Sequence, residues 1–193
     1  MKNVDNYPIL AVETQQDWEM WLEKHHSEAK GVWLKLAKKA TGIPSITRAE
    51  ALDGALCYGW IDGQAASFDT QYWLQKFTPR GPRSTWSQVN RDKVGVLQTA
   101  GRMRAAGIRQ IELAQADGRW EAAYERQSTA NVPEDLQSEL NKNQKAQMFF
   151  NTLNRTNRYA ILLRIQTAKK AETRAARIQK FVGMLANNEK VYP

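Results

Sequence analysis

The spacing of apolar residues changes along this chain, and that change limits the fold more than any other feature. Between Gly31 and Phe77 short stretches alternate with period two, whereas beyond Pro133 the apolar repeats are spaced for helices. A small sheet therefore belongs to the first part and a helical region to the last third.

Thr14 precedes Trp18, Trp21, Leu22 and His25 at i, i+3, i+4 and i+7, the spacing of one helical face. Val32, Leu34 and Leu36 then alternate with Trp33, Lys35 and Ala37 as a strand, which the Gly42, Pro44 and Ser45 cluster closes. Thr47 and Glu50 form a capping box ahead of the stripe Leu52, Ala55 and Leu56, and Gly59 ends that helix. The aromatic-rich stretches Trp60 to Phe68 and Tyr72 to Phe77 flank Asp69-Thr70 and read as a hairpin. Ser87 caps a further helix carrying Val89, Val96, Leu97, Ala100 and Met103, and Ile108, Ile111 and Ala114 mark another that stops at Asp117-Gly118. Polar composition between Arg126 and Pro133 marks a boundary, with Pro133 suited to the first turn of a new helix. Ile161, Leu162 and Ile165, and then Ile178, Phe181, Val182 and Leu185, continue the helical pattern.

The expected fold is α+β: a small antiparallel sheet of at least three strands packed by helices, followed by a helical C-terminal third. The expected organisation is an α+β domain over 1–125 and a helical region over 133–193, the second either separate or docked on the first. A 42% hydrophobic content with seven Trp supports a buried core. No stretch approaches the roughly 20 apolar residues of a membrane span, and the first ten residues lack a secretory apolar run, so the expected location is the cytoplasm.

Twenty-eight Lys and Arg against twenty Asp and Glu give a net charge of +8. The excess clusters between Arg155 and Lys180, where Glu172 is the one acidic residue. Lys170, Arg174, Arg177 and Lys180 form a basic patch suited to nucleic acid or an acidic protein, or else a solvated face that maintains solubility.

One Cys and two adjacent His leave the chain without the residues of a typical zinc site, so no metal and no cofactor is expected. Cys57 is either a buried small residue or a nucleophile served by His25, the histidine whose helical position faces inward. Asp62, mid-strand in Gly59-Trp60-Ile61-Asp62-Gly63, is a candidate acid, base or cation anchor, with hydrogen bonds to backbone or Arg as the plain alternative.

The stretch Phe77 to Asn90 concentrates the most chemistry. Arg80 and Arg83 supply forked donors, Ser84 and Ser87 hydroxyls, Trp86 a stacking plane, and a helix N-terminus follows at its end. Together with Asn90, Trp60 and Asp62 these form a candidate cradle for phosphate or carboxylate; alternatively Arg80 and Arg83 pair with Asp62 and Asp69 to pin the loop. No glycine-rich phosphate fingerprint accompanies it, which excludes a P-loop or Rossmann mode.

With these residues in view, the chain resembles the YdeI/OmpD-associated-like family of bacterial proteins. The resemblance runs through Trp18-x-x-Trp21-Leu22, Gly31-Val32-Trp33-Leu34, Ala51-Leu52 to Gly63, Phe77 to Asn90, Gly101-Arg102-Met103, Ala106-Gly107, Asp117 to Trp120, and Ala168 to Ile178, nearly the whole chain. It implies bacteriocin protection or association with an outer-membrane porin, and it brings no catalytic residues. Three functions stand in order: a non-catalytic binder of a small anionic ligand or acidic partner, with stress or antimicrobial-peptide protection as its expected setting; an enzyme using Asp62 with Tyr58 or Cys57 on an anionic substrate; and a nucleic-acid binder acting through the basic helix.

Overall fold

The structure, a computed structural model, describes residues 6–125, 131–168 and 170–193. Lys169 and the polar stretch beginning at Arg126 lie outside the described residues. The chain divides into two compact units, one formed by Met1–Ser84 and Asn90–Trp120, the other by Thr85–Val89 and Glu121–Pro193.

The first unit is built on a four-stranded sheet in the order β1-β2-β4-β3, with strands β1 (Ile9–Ala11), β2 (Val32–Ala37), β3 (Trp60–Ser67) and β4 (Tyr72–Pro79). β4 runs antiparallel to both neighbours, as an aromatic-rich hairpin beside an alternating strand requires. The sheet is nevertheless mixed, because β1 lies parallel to β2 and helix α1 (Gln15–His25) provides the crossover that parallel neighbours need. Asp69 shapes the hairpin, its Oδ1 accepting from the amides of Gln71 at 2.8 Å and Tyr72 at 2.7 Å.

Register puts Val32 opposite Phe77, Leu34 opposite Gln75 and Leu36 opposite Trp73. Trp18 of α1 meets Phe77 at 5.5 Å between ring centroids, so this is the face that α1 covers. Gln75, buried among these apolar neighbours, turns its amide to the sheet edge and donates to the carbonyls of Gly63 and Gln64 at 2.9 and 3.2 Å. Those carbonyls belong to a bulge between Asp62 and Ala65, and the amide pairs them where the ladder is interrupted.

Helix α2 (Arg48–Cys57) begins at the Thr47–Glu50 capping box, and Gly59 follows it in the left-handed region at φ +75°. Helix α3 (Gln88–Thr99) buries Asn90, Val94 and Leu97 and ends before Ala100 and Met103, leaving Val96 exposed instead of inward. Helix α4 (Ala105–Ala116) buries Gly107, Ile111 and Ala114 and stops at Asp117.

The second unit holds α5 (Glu134–Lys142), α6 (Gln144–Thr152), α7 (Arg155–Gln166) and α8 (Ala171–Ala186). Pro133 stands at the N-cap position of α5, one residue before the first turn that its sequence suggested, and makes no capping hydrogen bond. Asn143 and Asn154 cap the next two helices by accepting from Ala146 and Asn157 amides. Their core joins Leu136, Leu140, Phe150, Ile161, Ile165, Ile178, Phe181 and Leu185. In the same unit Tyr124 pairs with the short segment before α3, donating to Trp86 O at 3.0 Å and accepting from Gln88 N at 2.9 Å. Among the described residues no helix is long and apolar enough to cross a membrane.

Candidate anion-binding site

The Phe77 to Asn90 stretch is built inward more than its sequence suggests. Arg80 is 5% exposed, donates its amide to Gly59 O at 3.0 Å, and has further partners inside the protein. Ser84 closes a tight turn on Gly81, whose amide donates to Ser84 Oγ at 3.0 Å. Arg119, itself buried, holds the turn by donating to Ser84 O at 3.0 Å and to Asp117 at 2.7 and 2.8 Å. Trp86 is 2% exposed, which closes its ring to a stacking base, and Ser87 and Asn90 are buried with partners of their own. Trp60 is buried as well, with its Nε1–H on His26 O at 3.1 Å and its ring edge-on to Trp21. Arg83 alone keeps an exposed guanidinium with no ion pair among the described residues. The stretch thus carries one open cation where the sequence suggested a cradle.

Asp62 pairs with Arg48, the first residue of α2, instead of with Arg80 or Arg83. The bulge at Gly63 leaves Asp62 in register with Phe77, on the face where α2 begins, and this brings the two charges together. His25 is exposed and stacks on Trp21 at 5.0 Å, away from Cys57, because the inner face of α1 is taken by Trp18 and Leu22. Burial pushes the Cys57 thiol up to about 11, which leaves almost no thiolate near neutral pH. Tyr58 donates its hydroxyl to Glu23 at 2.7 Å, and burial raises its pKa further from neutrality.

The basic patch is partly absorbed by the fold. Arg174 grips Asp135 through two bonds of 2.6 and 2.9 Å and also donates to Ile165 O. Arg177 donates to Arg164 O. Lys170 and Lys180 remain exposed, so half of the predicted patch is a strut of the second unit.

A different set of cations meets at a cavity. Where β2 ends, Lys38 and Lys39 lead into one 3-10 turn, Lys39–Thr41, and the chain returns through Ile43 to Ile46 to start α2 at Arg48. The hollow they line has a volume of about 330 Å³, within the range of small-molecule sites. Leu36, Ile43, Ile46 and Trp73 give it apolar walls, and Lys38, Lys39 and Arg48 stand at its lining. Lys38 Nζ donates to Asp69 O at 2.7 Å, a neutral partner, Lys39 is exposed, and neither forms an ion pair among the described residues. The sequence showed this loop only as the end of a strand. Its usable signal was a Lys-Lys pair at the strand end and an Arg at the first helical position, separated by a loop too short to hold them apart.

A family model described as a domain of unknown function (DUF8412) matches residues 10–110. A second, described as Bacteriocin-protection, YdeI or OmpD-Associated, matches residues 129–188. The second match bears out the resemblance over the last third only; the motifs from Trp18 to Met103 fall within the first. No curated protein and no solved structure matches.

Proposed function

This chain belongs to the DUF8412 domain family, and from that premise we propose that it is a non-catalytic binding protein for a small anionic ligand, held at the hollow between β2 and α2. The observation that carries the reading is the meeting of Lys38, Lys39 and Arg48 at one apolar-walled cavity. A charge at a concave, poorly solvated wall attracts an anion more strongly than the same charge on open surface.

Support for binding over catalysis comes from the groups a reaction would need. Asp62 is held by Arg48, the Tyr58 hydroxyl is committed to Glu23, and the Cys57 thiol is protonated. The location we propose is the cytoplasm. The second match's name points toward protection from bacteriocins. A chain of charge +8 repels a cationic peptide, so such a role would run through the small ligand and a stress response.

The test is thermal unfolding against a panel of nucleotides, phosphorylated sugars and carboxylates. A ligand at 100 times its dissociation constant stabilises by about 2.7 kcal/mol. A shift that disappears in the Lys38→Ala/Lys39→Ala variant supports the site; a shift that survives it moves the ligand elsewhere, with Arg83 as the next position to replace.

A further inference from the structure

We infer that the ligand of this hollow is a carboxylate with an apolar, preferably flat, body, and not a phosphorylated sugar or nucleotide. The inference rests on the proposed anion site and adds the chemistry of what fills it.

The walls and the rim make different demands. Leu36 and Trp73 lie opposite each other in the β2–β4 register and form one side, while Ile43 and Ile46 form another. These surfaces gain from excluding water and offer nothing to a hydroxyl. The two hydroxyls among the lining residues are already used. Ser45 Oγ accepts from Ala37 N at 3.1 Å and donates to Ile46 O at 3.2 Å. Thr47 Oγ1 accepts from Glu50 N at 3.2 Å and donates to Glu50 Oε2 at 2.7 Å. A sugar seated here would lose water from several hydroxyls and find few partners in return.

Charge narrows the head group. Arg48 is shared with Asp62, so the rim charges without an ion pair among the described residues are those of Lys38 and Lys39. Two ammonium groups can serve the two oxygens of a single carboxylate as point donors. A phosphate monoester, with about −1.5 to −2 charge and three strong acceptor oxygens, is attracted by the same lysines but needs more donors than these two supply to replace the water it loses. Here the capping box has taken the amides of Thr47 and Glu50 at the start of α2. The fit is therefore a body on Trp73 and the isoleucines, with its carboxylate turned outward to the lysines.

Titration calorimetry of the full chain with naphthalene carboxylate, the corresponding neutral amide, and a pentose phosphate tests this. The carboxylate is expected to bind, the amide about tenfold more weakly or worse, and the pentose phosphate without measurable heat. Lys38→Ala and Lys39→Ala are each expected to weaken the carboxylate by about three- to tenfold. Ile43→Ser is expected to weaken it as well, with an unchanged unfolding temperature showing that the fold is intact. A pentose phosphate that binds, lysine-dependently, where the carboxylate does not would overturn the ligand class and leave the anion site standing. Equal affinity for carboxylate and amide would overturn the role of the charge. No heat from any probe would overturn both.

Discussion

Replacing Gly107 by Ala is the sharpest test of how the first unit is packed. A Cβ built on Gly107 would lie 2.3 Å from Cys57 O and 2.8 Å from Leu56 O. Both atoms are main chain at the end of α2, so no side-chain rotation relieves the overlap, and α4 has to move by more than about 1 Å to restore ordinary contact. Such movement also stretches the 3.1 Å bond from Arg104 N to Cys57 O. Overpacking of this kind costs about 1–3 kcal/mol, against a gain of about 0.8–1 kcal/mol from the better helix former. Gly95 in α3 provides the control, since a Cβ there meets nothing within 4 Å and only that gain of about 0.8–1 kcal/mol remains. The same substitution on two helices is thus expected to have opposite signs. Urea unfolding followed by circular dichroism, with equal slopes for the variants, should place Gly107→Ala below the parent and Gly95→Ala above it. For a chain of this length the unfolding temperatures should then differ by several degrees, about 2–4 °C per kcal/mol. If Gly107→Ala were as stable as Gly95→Ala, the close approach of α2 to α4 would be wrong.

Cys57 is expected to resist thiol reagents in the folded protein at pH 8 and to react fully in denaturant, because burial holds the thiol protonated and shielded; fast labelling of the native chain would show the site is open. Tyr58→Phe removes the hydroxyl that binds Glu23 and leaves that carboxylate to water, for an expected loss of about 1 kcal/mol in denaturant unfolding. Arg174 lowers the Asp135 carboxyl from its ordinary 3.8. Its contribution to stability is therefore complete above that pH and is lost as pH falls through the depressed value. Asp135→Asn should flatten that acid limb of the stability curve and leave the slope near neutral pH unchanged, and an unaltered acid limb would count against the pair.

What the sequence makes legible depends on how far apart the partners lie. Thr47 and Glu50 are read correctly because a capping box closes within one helical turn. β1 goes unread because Ile9, Leu10 and Ala11 have no alternation long enough to register, and they become a strand only where β2 offers a free edge. In the Phe77 to Asn90 stretch the residue types are right for an anion, but composition says nothing about direction. Arg80 follows β4 into a buried position and Trp86 is buried beyond the turn, while Arg83 sits on the turn and stays outside. The Arg48–Asp62 pair is equally hidden, since it depends on a bulge that a hairpin pattern does not reveal.

The charge of the chain makes the same point about function. A net +8 suggests one cationic face, yet many of the cations are spent on the fold. Arg48 is tied to Asp62, Lys93 to Asp53, Arg102 to Glu19, Arg119 to Asp117 and Arg174 to Asp135. Surface pairs of this sort contribute little stability each, but they remove both partners from the field a ligand would feel. A polyanion binder needs many uncompensated cations along one track, because its affinity grows with each phosphate neutralised. A binder of a small anion needs two or three at a cavity with walls that exclude water. Lys38 and Lys39 beside Trp73 and the isoleucines meet the second requirement, while Lys170 and Lys180, with Arg174 and Arg177 withdrawn between them, fall short of the first.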